Sequence, residues 1–224
     1  MAYNTKNIIH GAAAIYYSVD SSLDAGWDDV EIPAYVAATS FAETLEAAND
    51  WHHVGLTREG VDVEYSPEFK DVTVDQLLDA AEVYKTSQTM TVNTTLVEAT
   101  LEHLLFVWGL SNEQLVDGGE TPEWAHGPST PGAALPATSS EIGIYEGALG
   151  EAPVERQLAF VGPGPLVNTE RVYHIRRALQ VEAVSHGLKR DDETVFPASF
   201  RCLPDTRASF RGAGYGTIRE RATV

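Results

Sequence analysis

Strict alternation of apolar and polar residues in three short stretches constrains this chain more than any other feature. In Val61-Asp62-Val63-Glu64-Tyr65, Asp71-Val72-Thr73-Val74-Asp75 and Thr89-Met90-Thr91-Val92-Asn93-Thr94, apolar side chains recur at every second position. That is the period of a half-buried strand. Ser66-Pro67-Glu68-Phe69-Lys70, between the first two stretches, has the composition of a turn. The first two therefore read as a β-hairpin, and the third continues the same sheet. Val61, Val63, Tyr65, Val72 and Val74 would face a core, leaving Asp62, Glu64, Asp71, Thr73 and Asp75 together on the other face. Like charges across paired strands cost a few tenths to about 1 kcal/mol each. A face with four carboxylates is either the ordinary solvated side of an acidic protein or a surface that must not adhere to a polyanion.

Thr95-Leu96-Val97-Glu98 matches a capping box, in which the Thr hydroxyl accepts from the third amide and the Glu reaches back. It predicts a helix start at Thr95. Val97, Leu101, Leu104, Leu105 and Trp108 form one apolar stripe, and Gly109 stands where a left-handed C-cap belongs. The helix is expected to run about thirteen residues, about 20 Å at 1.5 Å per residue. Gly11–Val19 reads as a first strand with Ile15, Tyr17 and Val19 on one face. A second capping box at Ser40-Phe41-Ala42-Glu43 predicts a short helix over 41–48. A strand around Val83-Tyr84 is expected to pair towards Thr89–Thr94. Ile142–Glu146, Val154–Val161, Arg171–Ser185, Thr194–Cys202 and Tyr215–Arg221 are further strand candidates, and Arg171–Ser185 also admits a helical reading. Gly162-Pro163-Gly164-Pro165 is a rigid turn, since a phosphate cradle needs Gly-Lys-Ser/Thr after it. Residues 111–153 are rich in Pro and Gly and read as a flexible insertion.

At 224 residues, the chain can bury one sizeable core, and its length permits one or two domains. No apolar run reaches about eighteen residues, so no membrane span is expected. Met1–Lys6 has one charge and no apolar run before Gly11, so no secretory leader is expected. The single cysteine, Cys202, cannot form an intramolecular disulfide and suits a reducing cytosol. Charge is distributed unevenly. Residues 1–155 carry 4 bases against 26 acids, whereas residues 156–224 carry 11 bases against 7 acids. Opposite-sign parts of identical copies can attract one another, in a contact that closes a ring if the rotation allows; the same charges could also simply solvate a monomer. A formal net charge of −18 disfavours tight DNA binding, which rests on neutralising phosphates.

The residues offer little for catalysis. His52-His53, with His10, His126 or Glu59, is the only metal-like collection, and adjacent histidines on a strand point to opposite faces. Glu98 and Glu102 are one helical turn apart, but the cap accounts for Glu98. There is no Gly-x-Ser-x-Gly elbow and no Cys/His nucleophile pattern. No cofactor, metal or catalytic residue is expected. The four tryptophans read as core or interface anchors.

Taken in order, Trp51-His52-His53-Val54-Gly55-Leu56-Thr57-Arg58-Glu59-Gly60-Val61, then Lys70–Leu77, then Val92–Glu102 resemble the major tail tube proteins of long-tailed bacteriophages. The shared pattern is a hydrophobic-Gly-x-Thr-x-x-Gly strand entry, a sheet, and a Thr-x-x-Glu-x-Thr-Leu helix, clearest over residues 8–110. The resemblance implies one domain over 1–224: a β-sandwich, mainly β with one flanking α-helix, whose inner sheet joins neighbouring subunits into a closed barrel. It implies hexameric rings stacked into a hollow tube that conducts the phage genome into the host, in the virion tail and assembled in the host cytoplasm. Its partners would be further copies, the tape measure protein, and the tail tip and terminator proteins, with genomic DNA passing through unbound. On this reading Asp62, Glu64, Asp71, Thr73 and Asp75 are candidates for the lumen. Lys6, Tyr16, Tyr17, Arg207, Arg211, Arg219 and Arg221 are candidates for contacts between subunits and rings, in the N-terminal arm 1–10, the first strand and the basic part 156–224. The 111–153 segment departs from the compact family pattern. A capsid or head-tail joining protein is the alternative, and an enzyme or a carbohydrate-binding module fits the residues less well.

Overall fold

The computed structural model describes residues 11, 13–18, 32, 51–75, 79–120, 125–126, 130–131, 134–144, 149–150, 152–166, 168–188, 190–191, 193–206 and 212–222. The elements are β1 (Ala14–Ser18), β2 (Trp51–His53), β3 (Thr57–Val72), β4 (Glu82–Leu96), α1 (Leu101–Trp108), a 3-10 turn (Asn112–Gln114), β5 (Leu115–Val116), β6 (Ala125–His126), β7 (Thr130–Pro131), β8 (Glu141–Ile142), β9 (Arg156–Pro163), β10 (Thr169–Gln180), β11 (Phe196–Cys202) and β12 (Gly216–Ala222). The described residues are mainly β with one short helix. The helix expected over 41–48 and the arm 1–10 lie outside the described residues.

Eight strands join in the order β2-β1-β9-β10-β11-β4-β3, with β12 also on β10. The hub is β10. Its first half, Thr169–Ile175, lies between β9 and β12, and its last residues, Ala178–Gln180, pair with β11. A register shift between Ile175 and Ala178 separates the halves; an extra residue in one strand bends it and flips the alternation. Accordingly Glu170, Val172 and His174 are buried before the shift, and Ile175 and Ala178 across it.

One core draws Ile15, Tyr17, Leu158, Phe160 and Ile175 from β1, β9 and β10, and Val92, Leu96, Phe196, Phe200 and Cys202 from β4 and β11. The two halves of the sheet therefore share one apolar cluster. Phe106 of α1 plugs it, with ring centroids 4.5 Å from Tyr17 and 4.9 Å from Phe200; such aromatic pairs add about 0.5–1.5 kcal/mol beyond burial. A second cluster, Ala14, Tyr16, Ile32, Trp51, Ala159, Val161 and Val172, covers the opposite face of β1 and β9. Both faces of β1 are thus buried, and all five of its residues are inaccessible. Among the described residues the sheet stays open: no closed barrel forms, and β2, β3 and β12 each have a single neighbour.

The first hairpin differs from the expected one. β3 runs through Ser66-Pro67 without turning and pairs with β4 from Thr57↔Leu96 to Val72↔Glu82. Val61–Tyr65 and Asp71-Val72 belong to one strand, and the chain reverses only after Val72, where the Ala81 amide returns to the Val72 carbonyl at 2.8 Å. Pro67 is tolerated because β3 is an edge strand, where a missing amide removes no ladder bond. Val83-Tyr84 likewise does not pair with Thr89–Thr94, since both lie in β4. Near its start β3 bulges at Glu59 and Gly60, whose φ values are 66° and 80°; the Thr94 hydroxyl donates to the Gly60 carbonyl at 2.9 Å.

The helix begins five residues later than its capping box predicts. Thr100 is the N-cap, its hydroxyl accepting from the His103 amide at 3.2 Å. Thr95 and Leu96 finish β4 opposite Arg58 and Thr57. Glu98 accepts from the Leu56 amide at 3.0 Å, so a ladder neighbour has taken the carboxylate that the box assigned to the helix. The buried side is correspondingly rotated, to His103, Leu105, Phe106 and Val107, with Leu101 exposed. Gly109 is the C-cap at φ 66°, donating to the Phe106 carbonyl at 3.2 Å.

Within 111–153, β5 pairs with β8 and β6 with β7, and Val116 and Leu135 are buried. Arg156 closes the segment: buried, it donates to the Leu110 carbonyl at 2.5 Å and lies 5.3 Å from the Tyr17 ring centroid. Burial lowers its pKa.

Candidate assembly surface

The 16 residues of β3 span about 50 Å at roughly 3.3 Å per residue. With β4 they form a two-stranded arm that outruns the core. Val92 and Leu96 at its base are fully buried, whereas Val63, Tyr65, Phe69 and Val83 are 40%, 52%, 60% and 57% exposed.

The two sides of the arm differ chemically. On one, Asp62 is opposite Asn93, Glu64 opposite Thr91 and Ser66 opposite Thr89. β11 extends this side with Ser199 beside Asn93 and Arg201 beside Thr91, and the Ser199 hydroxyl bonds the Asn93 side-chain oxygen at 2.7 Å. The carboxylates thus face amides and hydroxyls across the ladder instead of each other, which avoids the like-charge cost that the expected hairpin carried. An open groove of about 270 Å³ lies beside the bulge, bounded by Arg58, Glu59, Asp62, Gln180, Glu182 and Ser199. The Arg58–Glu193 ion pair, 2.6 Å and about half exposed, contributes little to stability.

The other side carries Val61, Val63, Tyr65 and Phe69 with Val92, Met90 and Val83. Here the Lys85 ammonium donates to the Tyr65 hydroxyl at 2.9 Å and to the Gln88 side-chain oxygen at 2.7 Å, which holds the tyrosine across the ladder.

Asp62 and Glu64 therefore share a polar exposed face with Thr91 and Asn93. Asp71 does not join them: it follows Glu64 by an odd number of residues in the same strand and lands on the opposite side, across from Val83. Thr73 and Asp75 lie beyond β3 in the reversal, both exposed. The expected five-residue face thus reduces to two carboxylates on the strand itself, because the chain reverses after Val72 and not at Ser66-Pro67.

Tyr16 and Tyr17 are at 0% and 4% exposure and belong to the two interior clusters, so neither is available to a neighbouring copy. Burial pushes the Tyr16 hydroxyl up to about 12, with Glu170 adding to the rise and Arg221 opposing it. His53 and His52 pack on Tyr16 and Tyr17 from opposite faces, at 5.1 and 5.5 Å between ring centroids, as adjacent strand residues must. Among the described residues no cluster of three or more metal-binding side chains occurs.

Three arginines of the basic part are ion-paired within the fold. Arg171 pairs with Glu220, Arg221 with the buried Glu170, and Arg177 with Glu155 at 2.6 Å. Arg221 is consequently an internal partner and not a free contact residue. Arg219 is exposed and forms no ion pair among the described residues; its neighbour Ile218 is 65% exposed. Lys6, Arg207 and Arg211 lie outside the described residues. The exposed apolar side of the arm and the open edges of β3 and β12 could not be inferred from alternation alone, because alternation names a strand's faces and not its neighbours.

Among the described residues, no helix is long and apolar enough to cross a membrane. No protein-family model matches this sequence, and no curated protein does.

Proposed function

We propose that this chain is a virion structural protein, the tail tube subunit of a long-tailed phage, which self-assembles into stacked hexameric rings whose bore conducts the genome during ejection. The observation that carries the reading is the β3–β4 arm. It is a long two-stranded projection with a polar, carboxylate-bearing side, an exposed apolar side, and an edge unpaired among the described residues. Monomers seldom expose such edges without blocking them, and closing strands into a ring is one way of removing them.

The face of Asp62, Glu64, Thr91 and Asn93 is the one assigned to the bore. Asp62 and Glu64 outnumber the neighbouring Arg201 on this face, and a net negative wall keeps a moving polyanion from adhering. Inner sheets of adjacent subunits would join into the closed barrel that a single subunit lacks. The tape measure protein and the tail tip and terminator proteins are the partners this role requires, with assembly in the host cytoplasm.

Negative-stain electron microscopy of the concentrated protein tests the proposal. Hollow tubes of stacked rings are expected. Closed shells or isolated rings would favour a capsid or head-tail joining role, and a protein that stays monomeric alone and with its virion components would end both.

A further inference from the structure

The free edges of β3 and β12 match each other in length, charge and face. β12 has seven residues and, among the described residues, pairs only with β10. Among the described residues β3 pairs only with β4, and between its Glu59-Gly60 bulge and Pro67 it offers the regular stretch 61–66, bounded at one end by a distorted backbone and at the other by a residue without an amide. Strands alternate their side chains across the sheet. On β12, Ile218 takes one side, with Thr217 and Arg219 on the other; on β3, Val63 and Tyr65 take one side, with Asp62 and Glu64 on the other.

We propose that β12 of one copy adds to the free edge of β3 in the next, extending the sheet across the boundary. Ile218 then falls on the apolar side with Val63 and Tyr65, which are exposed in the single chain. Arg219 falls on the acidic side with Asp62 and Glu64. One docking event satisfies unpaired backbone groups on both edges, covers apolar surface and gives Arg219 a counter-charge. Reversing the faces of either strand would set Arg219 against the apolar side chains, so the alternation selects one facing. Residues 59–82 hold eight carboxylates against the single Lys70, which favours a basic incoming strand over an acidic one. The contact is heterologous, with each copy offering β3 to one neighbour and β12 to another, and so generates a ring or a filament. The inference names the edges that the proposed self-assembly uses, and so rests on that reading.

Intermolecular crosslinking tests it. The only native cysteine, Cys202, is buried, so an introduced thiol reports alone. Ile218→Cys protein is mixed with separate preparations of Val63→Cys and Tyr65→Cys protein carrying a distinguishable tag, and oxidised mildly. A mixed-tag dimer is expected with at least one of the two. Since all three positions are exposed, unchanged melting temperatures are the control for folding. Arg219→Glu is expected to weaken self-association about tenfold, with rescue when Glu64→Arg is present in the same chain. Self-association with no mixed-tag crosslink, or with Arg219→Glu indistinguishable from wild type, would overturn the proposal. Tubes without the crosslink would leave the tail tube reading standing and remove this contact; the crosslink without tubes would do the reverse.

Discussion

Arg221, on the edge strand β12, is ion-paired with Glu170, a β10 carboxylate only 1% exposed. The edge strand is therefore fastened to the interior by a charge that cannot be solvated if the partner leaves. Removing one member of a buried pair is far more damaging than removing both.

Arg221→Met should destabilise the fold by about 3 kcal/mol, and Glu170→Gln combined with Arg221→Met should recover most of it. Urea denaturation of the three proteins measures both values. Equal losses in the single and double variants would show that Arg221 acts through packing instead.

His174 lies at the centre of the β9–β10–β12 wing, its Nε2 2.7 Å from the Gln157 side-chain oxygen and its ring 5.9 Å from that of Trp51. Burial, then the charges of Arg176 and Arg219, pull its pKa down to about 4 from 6.5. A histidine depressed in the folded state binds its proton more readily when unfolded. Its contribution is thus intact above pH 6.5 and is lost as pH falls towards 4, at up to about 1.4 kcal/mol per pH unit. His174→Gln should flatten the stability profile between pH 6.5 and 4 relative to wild type. Parallel profiles for the two proteins would refute the assignment.

Thr100→Ala should cost about 1 kcal/mol by removing the cap on the His103 amide. Thr95→Ala should leave helix capping untouched. Amide exchange at His103 distinguishes the two, since faster exchange is expected only in the first variant.

Lysines placed at Thr89 and Thr91 together, on the face of Asp62 and Glu64, should give assembled protein a salt-sensitive affinity for duplex DNA that wild type lacks. The log–log salt slope should steepen by about 0.9 for each lysine that neutralises a phosphate. Filter binding at several salt concentrations measures it, and unchanged DNA retention would take this face out of the bore.

Several strands were readable from their side-chain pattern. Thr89–Thr94 falls within β4, and Val154–Val161 and Thr194–Cys202 overlap β9 and β11 with starts two residues early, because the period of two is imposed by the pleat itself. Gly109 was equally legible, since a left-handed residue at a helix end follows from local backbone geometry. Local pattern alone thus settled the mainly β character, a helix ending at Gly109 and the uneven charge.

Pairing belonged to the tertiary structure. Whether Ser66-Pro67 turns or runs straight depends on the strand beside it, and at a sheet edge proline costs nothing. Glu98 could cap a helix or accept from Leu56, and in the fold it accepts from Leu56. Tyr16 and Tyr17 alternate like a half-exposed strand, yet a second cluster covers the far face. In each case local energies differ by about 1 kcal/mol or less, while long-range burial contributes about 25 cal/mol for every Å² of apolar surface removed from water. Only the assembled fold, in which distant segments share one interior, decides between such alternatives.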